Sequence, residues 1–123
     1  MGFSNQKPNI FAYKNFYRSI GSVRCPYFNN EQVFFNRKGF NHLLRRGRDE
    51  RSYFDQINRL NLLKYCKIIL SAGYNDVEHR IIRKRNTIAQ FWGFKAHFEK
   101  SEIKLVVRQI DKREKHFFSI FRL

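Results

Sequence analysis

Ile88-Ala89-Gln90-Phe91-Trp92-Gly93-Phe94-Lys95-Ala96-His97-Phe98, followed by Ile103-Lys104-Leu105-Val106-Val107-Arg108-Gln109-Ile110, decides the fold. Both stretches read with a period of two residues, the repeat of a strand. In the second, Leu105, Val107 and Gln109 share one face while Lys104, Val106 and Arg108 share the other. Gly93 predicts a bulge in the first. Asp111-Lys112-Arg113-Glu114-Lys115 forms a polar turn, and residues 116–122 return as a third strand, which together make an antiparallel meander.

Upstream of this meander the period changes to that of helices. Val33-Phe34-Phe35 suits a short buried strand, and Asn36 is a good N-cap for a helix over residues 37–48 with Phe40, Leu43 and Leu44 on one side. Ser52-Tyr53-Phe54-Asp55 resembles a capping box with Asp for Glu, opening a helix of about four turns through Phe54, Ile57, Leu60 and Cys66 to Leu70. Residues 75–86 are polar and charged and predict a loop. The first thirty residues read as an arm, with a short helix over 10–20 and a loop over 21–30. Residues 31–123 read as one domain of the α+β class, its two helices on one face of a four-stranded antiparallel sheet and its other face free.

Composition says what that free face meets. The chain has 123 residues, with 25 Lys and Arg against 10 Asp and Glu, a net charge of +15 and a pI near 10.4. The cations run from Lys7 to Arg122, so the folded domain carries the field and a polyanion is the expected partner. No run of about 18 apolar residues exists and residues 1–10 lack the apolar segment of a secretory signal, which predicts a cytoplasmic protein without a membrane partner. Cys25 and Cys66 have no close second cysteine, and His42, His79, His97 and His116 are scattered. Neither a zinc site nor any other cofactor is expected. An RNP1-like aromatic motif and a GxxG clamp are both missing, against the common RNA-binding modules.

Phe34-Phe35-Asn36 leading into a helix with His42, and residues 103–108 pairing through a charged turn with Phe117-Phe118-Ser119-Ile120-Phe121, resemble a nuclease superfamily. It is the barnase, EndoU, colicin and RelE (BECR) group, and within it the small phage-associated members, with the resemblance covering roughly residues 31–123. It implies a compact domain that cuts RNA by transesterification without a metal, acting as a toxin or phage-encoded effector. Carried onto this chain, the helix histidine, the basic residues of the sheet and the hydroxyl of the last strand fall on His42, Lys95, Arg108 and Ser119.

The same chemistry can be argued from the side chains. A ribose 2′-hydroxyl needs a base, the pentavalent phosphorus needs nearby positive charge, and the leaving 5′-oxygen needs a proton. His42 has the proton-transfer chemistry and lies off the apolar stripe of its helix beside Arg45 and Arg46. His97, at the same parity as Lys95, and His116 are the other histidines of the meander. Lys95 and Arg108 suit the phosphate charge, and Ser119 can donate to a phosphate oxygen. Arg45, Arg46 and Arg48, with Arg83, Lys84 and Arg85, form clusters for RNA backbone contact. Most Phe residues and Trp92 are expected in the core. An acidic antitoxin or inhibitor protein would complement such a surface. A non-catalytic basic RNA- or DNA-binding protein, or a subunit that meets acidic protein, would share the charge and lack the proton transfer.

Overall fold

The computed structural model describes residues 9–72, 77–98 and 100–123. In chain order the elements begin with α1 (Ile10–Ile20), β1 (Ser22–Cys25), β2 (Glu31–Phe34) and α2 (Arg37–Leu44). The short strands β3 (Arg45–Arg46) and β4 (Asp49–Glu50) follow, then α3 (Tyr53–Asn61) and α4 (Cys66–Ser71). Four long strands complete the chain: β5 (Val77–Lys84), β6 (Thr87–Phe98), β7 (Ser101–Ile110) and β8 (Lys115–Arg122). The α+β class holds, with the meander of β6, β7 and β8 at its centre. The sheet has six strands rather than four, in the order β1-β2-β8-β7-β6-β5, and β3 pairs with β4 as a separate ribbon.

Both added strands lie where loops were expected. Within residues 21–30, β1 pairs antiparallel with β2 from Ser22↔Phe34 to Cys25↔Glu31. Within 75–86, β5 pairs with β6 along its whole length, from Val77↔Phe94 to Lys84↔Thr87, while residues 75 and 76 lie outside the described residues. Both are edge strands. Most of β5 is exposed on either face, so it shows no alternation, and its charges are what an unpaired edge carries.

The helices are shorter than their periodicity suggests. α2 ends at Leu44, and Gly47, at φ +64°, turns the chain so that Arg45 pairs with Glu50 and Arg46 with Asp49. The expected single helix over 54–70 is broken by a 3₁₀ turn at Leu63–Tyr65. Leu60 and Leu62, about 200° apart around a straight helix, are both fully buried, so the end of α3 is enclosed on two sides. The predicted caps are present. The Asn36 side chain accepts from the Gly39 N–H at 3.1 Å, and Ser52 Oγ accepts from the Asp55 N–H at 3.2 Å.

The strand register carries a second correction. It runs without a shift through Gly93, and the irregularity falls instead on β7 and β8, where Val106 faces Ser119 and Val107 faces Phe117. Phe118 is the extra residue. One sheet face, with Phe94, Leu105, Val107 and Ile120, is fully buried in a single core with Leu60, Leu63, Cys66, Ile69 and Leu70. Cys25 and Cys66 are both free and buried. Among the described residues no helix is long and apolar enough to cross a membrane.

β8 joins the two halves of the sheet through a short parallel pairing, Val33↔Lys115 and Phe34↔His116. Further along that edge, α2 and α3 pack against β8. The approach of α2 is very close. A Cβ on Gly39 would stand 2.5 Å from the Phe117 carbonyl oxygen and 2.5 Å from Tyr17 Oη. Tyr17, from α1, is buried against Phe35, Phe40 and Phe117, and its hydroxyl donates to the Asn36 carbonyl at 2.7 Å. Burial raises the Tyr17 pKa and keeps that donor protonated. Residues 10–30 thus supply the sheet with β1 and the core with Tyr17. Replacing Gly39 by Ala must displace backbone, and denaturant unfolding should show a loss of about 1–3 kcal/mol or more.

Candidate nucleic-acid interface

The register of the long strands sets the other sheet face in rows. Arg80, Phe91, Arg108 and His116 lie side by side across β5, β6, β7 and β8. Glu78, Gly93, Val106 and Ser119 form the next row, and Lys95, Lys104 and Phe121 the one after. The bulge turns Phe118 onto this face, where it meets the Phe91 ring at 5.4 Å.

α2 overhangs the end of the first row. The His42 ring lies 4.2 Å from the Phe118 ring, and the Arg108 guanidinium sits 4.6 Å from the centre of the same ring. Arg108 Nε donates to His116 Nε2 at 2.9 Å. Lys38, Asn41, His42, Arg45, Gly47, Arg108 and Phe118 enclose a cleft of about 380 Å³. His42 Nδ1 is buried without a partner, which leaves Nε2 as the ring nitrogen able to meet a ligand.

Electrostatics at the cleft follow from burial and a surplus of cations. His42 is pushed down to about 4, first by burial and then by Arg51, Arg59 and Arg108. His116 is also lowered to about 4, by burial and then Arg108, with Lys38 adding to it and a hydrogen bond to the Glu114 backbone opposing. Burial also lowers the Arg108 pKa from its very high ordinary value. Both imidazoles are therefore neutral at pH 7 beside a cation. Among the described residues Arg108 has no carboxylate within ion-pairing distance.

α3 braces the site from behind. Arg51 Nε donates to the His42 carbonyl at 2.9 Å and Arg51 Nη1 to Asp55 Oδ2 at 3.0 Å. Arg59 Nε donates to Asp55 Oδ1 at 2.8 Å, and Arg59 Nη1 to Ser119 Oγ at 2.7 Å. Burial raises the Asp55 pKa, but the bonds from Arg59 and Arg51 outweigh it and hold the carboxyl below its ordinary value. One carboxylate therefore ties two guanidiniums into a line from the end of α2 to β8.

No family model, curated protein or solved structure matches this chain. The resemblance to the nuclease superfamily therefore rests on its short motifs alone.

Of the five catalytic candidates, His42 and Arg108 share the cleft. Ser119 faces the same side but is buried and bonded to Arg59, a structural role. Lys95 is four residues along β6 from Phe91, the neighbour of Arg108, which is about 13 Å of strand. Its Nζ lies 2.9 Å from Glu78 Oε1, while Lys104 Nζ lies 2.7 Å from Glu78 Oε2. His97 is further off, exposed opposite Glu102. Lys95 was grouped with the centre through the resemblance and His97 by its shared strand parity with Lys95, which fixes the face and says nothing of distance along it. Among the described residues no three His, Cys, Asp or Glu side chains are placed to hold a metal.

The basic clusters separate. Arg45 lines the cleft, with Arg46 and Arg48 exposed in the adjoining ribbon, not on a helix. Arg83, Lys84 and Arg85 stand exposed at the far end of the β5–β6 hairpin. Trp92 is buried against Phe28 and Phe94 is wholly buried, as expected. The expectation that most Phe residues are core does not hold among the described residues, since only Phe35, Phe40, Phe94 and Phe117 are buried, Phe11, Phe16 and Phe54 are exposed, and Phe91, Phe118 and Phe121 are half-buried on the face that bears the cations. The bulge that brings Phe118 there has no glycine to announce it.

The two depressed histidines link protonation to folding. Each is neutral in the folded protein and ordinary, near 6.5, when unfolded, so acid favours the unfolded chain. Their stabilisation is fully present above about pH 6.5 and should be lost as pH falls toward about 4. Thermal unfolding across that range should show a falling midpoint, with a weaker fall in His116→Gln.

Proposed function

We propose that the protein is a metal-independent ribonuclease whose reaction centre is the cleft between α2 and the open sheet face. The observation that carries this reading is the juxtaposition of a cleft-lining imidazole with a guanidinium that has no carboxylate partner among the described residues, both on the Phe118 ring. Arg108 receives the scissile phosphate. His116 and Phe118 occupy its Nε and its face, so its terminal nitrogens are directed to the ligand as a planar fork.

His42 Nε2 accepts the 2′-hydroxyl proton as that oxygen attacks phosphorus. Charge grows on the non-bridging oxygens, where Arg108, Lys38 and Arg45 stabilise it. The 5′-oxygen leaves with a proton from water at the cleft mouth, which yields a 2′,3′-cyclic phosphate. A bound phosphate offsets the cations that depress His42, so the substrate itself strengthens the base. Arg46 and Arg48, with Arg83, Lys84 and Arg85, bind flanking backbone, and binding should weaken steeply with salt. The cytoplasm, as a toxin or phage effector, and an acidic inhibitor protein seated on this face belong to the same reading.

A non-catalytic RNA- or DNA-binding role is favoured by one observation, the removal of Lys95 and His97 from His42. Incubation with total RNA in excess EDTA separates the two. Cyclic-phosphate ends are expected, and intact RNA at saturating protein would establish the binding role. His42→Ala should slow cleavage by about 10²–10⁴-fold with little change in affinity, whereas Arg108→Ala should weaken both. Unchanged cleavage in both variants would remove the cleft from consideration.

A further inference from the structure

We infer that a second hollow on the open sheet face is a subsite for one unstacked base of single-stranded RNA. This rests on the proposed phosphate position at Arg108 and extends it by one nucleotide. The hollow has a volume of about 260 Å³ and is lined by Phe91, Val106, Phe118 and Phe121, with Glu78, Arg80 and Lys104 around it. Phe118 is a wall of both the hollow and the cleft.

Gly93 forms part of its lining. It lies within the 12-residue strand β6, where glycine weakens pairing and no shift of register explains its presence. A Cβ there would stand 2.4 Å from Lys104 Cε, so the missing side chain leaves the place where the Lys104 stem lies on its way to Glu78. A larger residue at position 93 would push that stem off the strand and into the hollow.

The lining suits a flat heterocycle. Aromatic rings offer faces and edges to a base, and stacking of this kind tolerates any base. Glu78 supplies acceptor oxygens, drawn down to about 2 by hydrogen bonds from Lys104 and Lys95 and hence ionised. Arg80 and Lys104 supply donors. An aliphatic ligand would leave these polar groups unmatched, and a base paired within a duplex cannot leave its stack to enter.

Fluorescence anisotropy with the full chain tests this directly. The probes are a 2′-O-methyl pentaribonucleotide, which cannot be cleaved, the same strand with an abasic residue at each position in turn, and a blunt duplex of equal length. One abasic position should weaken binding about 5- to 100-fold, and the duplex should bind more weakly than the intact strand. Gly93→Val should reduce the affinity of the intact strand to that of its abasic form, leaving the abasic affinity unchanged. Phe91→Ala, which empties one wall, should move affinity in the same direction and serves if Gly93→Val fails to fold by circular dichroism. Equal binding of intact and abasic strands, or preference for the duplex, would overturn the subsite. Because these probes are not cut, base discrimination with no cleavage of ordinary RNA would sink the nuclease reading alone. Cleavage without base discrimination would sink the subsite alone.

Discussion

The closeness of α2 to β8 is the constraint on which the rest of the structure depends. With no side chain on Gly39, the helix rests nearly on the backbone of Phe117, and Tyr17 fills the remaining space. One helical turn on from Gly39 is His42, and one residue on from Phe117 is Phe118. The ring contact between them is therefore set by the helix–strand contact, and the cleft inherits its dimensions from a glycine whose backbone conformation is ordinary. The Tyr17 hydroxyl on the Asn36 carbonyl and the Asn36 cap on the Gly39 N–H fix the start of the same helix. Two polar contacts and one missing methyl group place a histidine.

The few carboxylates are used with a consistent logic. Asp55 holds Arg51 and Arg59, Glu78 holds Lys95 and Lys104, and Glu31 holds Lys115. Pairs as exposed as those of Glu78 contribute little to stability, but they decide which cations are committed. Arg108 is half-buried with a neutral imidazole and a phenyl ring as its neighbours. Among the described residues a cation in that setting lacks the compensation a carboxylate would give.

The class of the fold was legible because the meander has a buried face, and burial on one side leaves a period of two in the residues. Residues 103–110 alternate for that reason. The edge strands β1 and β5 escaped because one is only four residues long, too short for its buried Val23 and Cys25 to show a period, and the other is exposed on both sides. The first strand of the ribbon, Arg45 and Arg46, was read as helix because charges carry no period. At the site, His42 and Arg108 were readable from their side-chain chemistry and their distance from the apolar stripe. Phe118 was not. Its position comes from a one-residue slip between two strands, and a slip is a property of the pair, invisible in either strand alone. The bracing by Arg51, Asp55 and Arg59 likewise depends on where α3 docks.

β8 is the strand that links both halves of the sheet, and it is the last element of the described chain. Val33 and Phe34 must wait for Lys115 and His116, some eighty positions later, before the sheet can close. Such a topology has a high contact order, and loop closure must be met before the pairing rewards it. Until β8 pairs, α2 and α3 lack the strand they pack on, and neither Arg108 nor Phe118 can meet His42. The cleft is assembled by the same event that completes the fold, so a chain without that pairing has charge but no cleft.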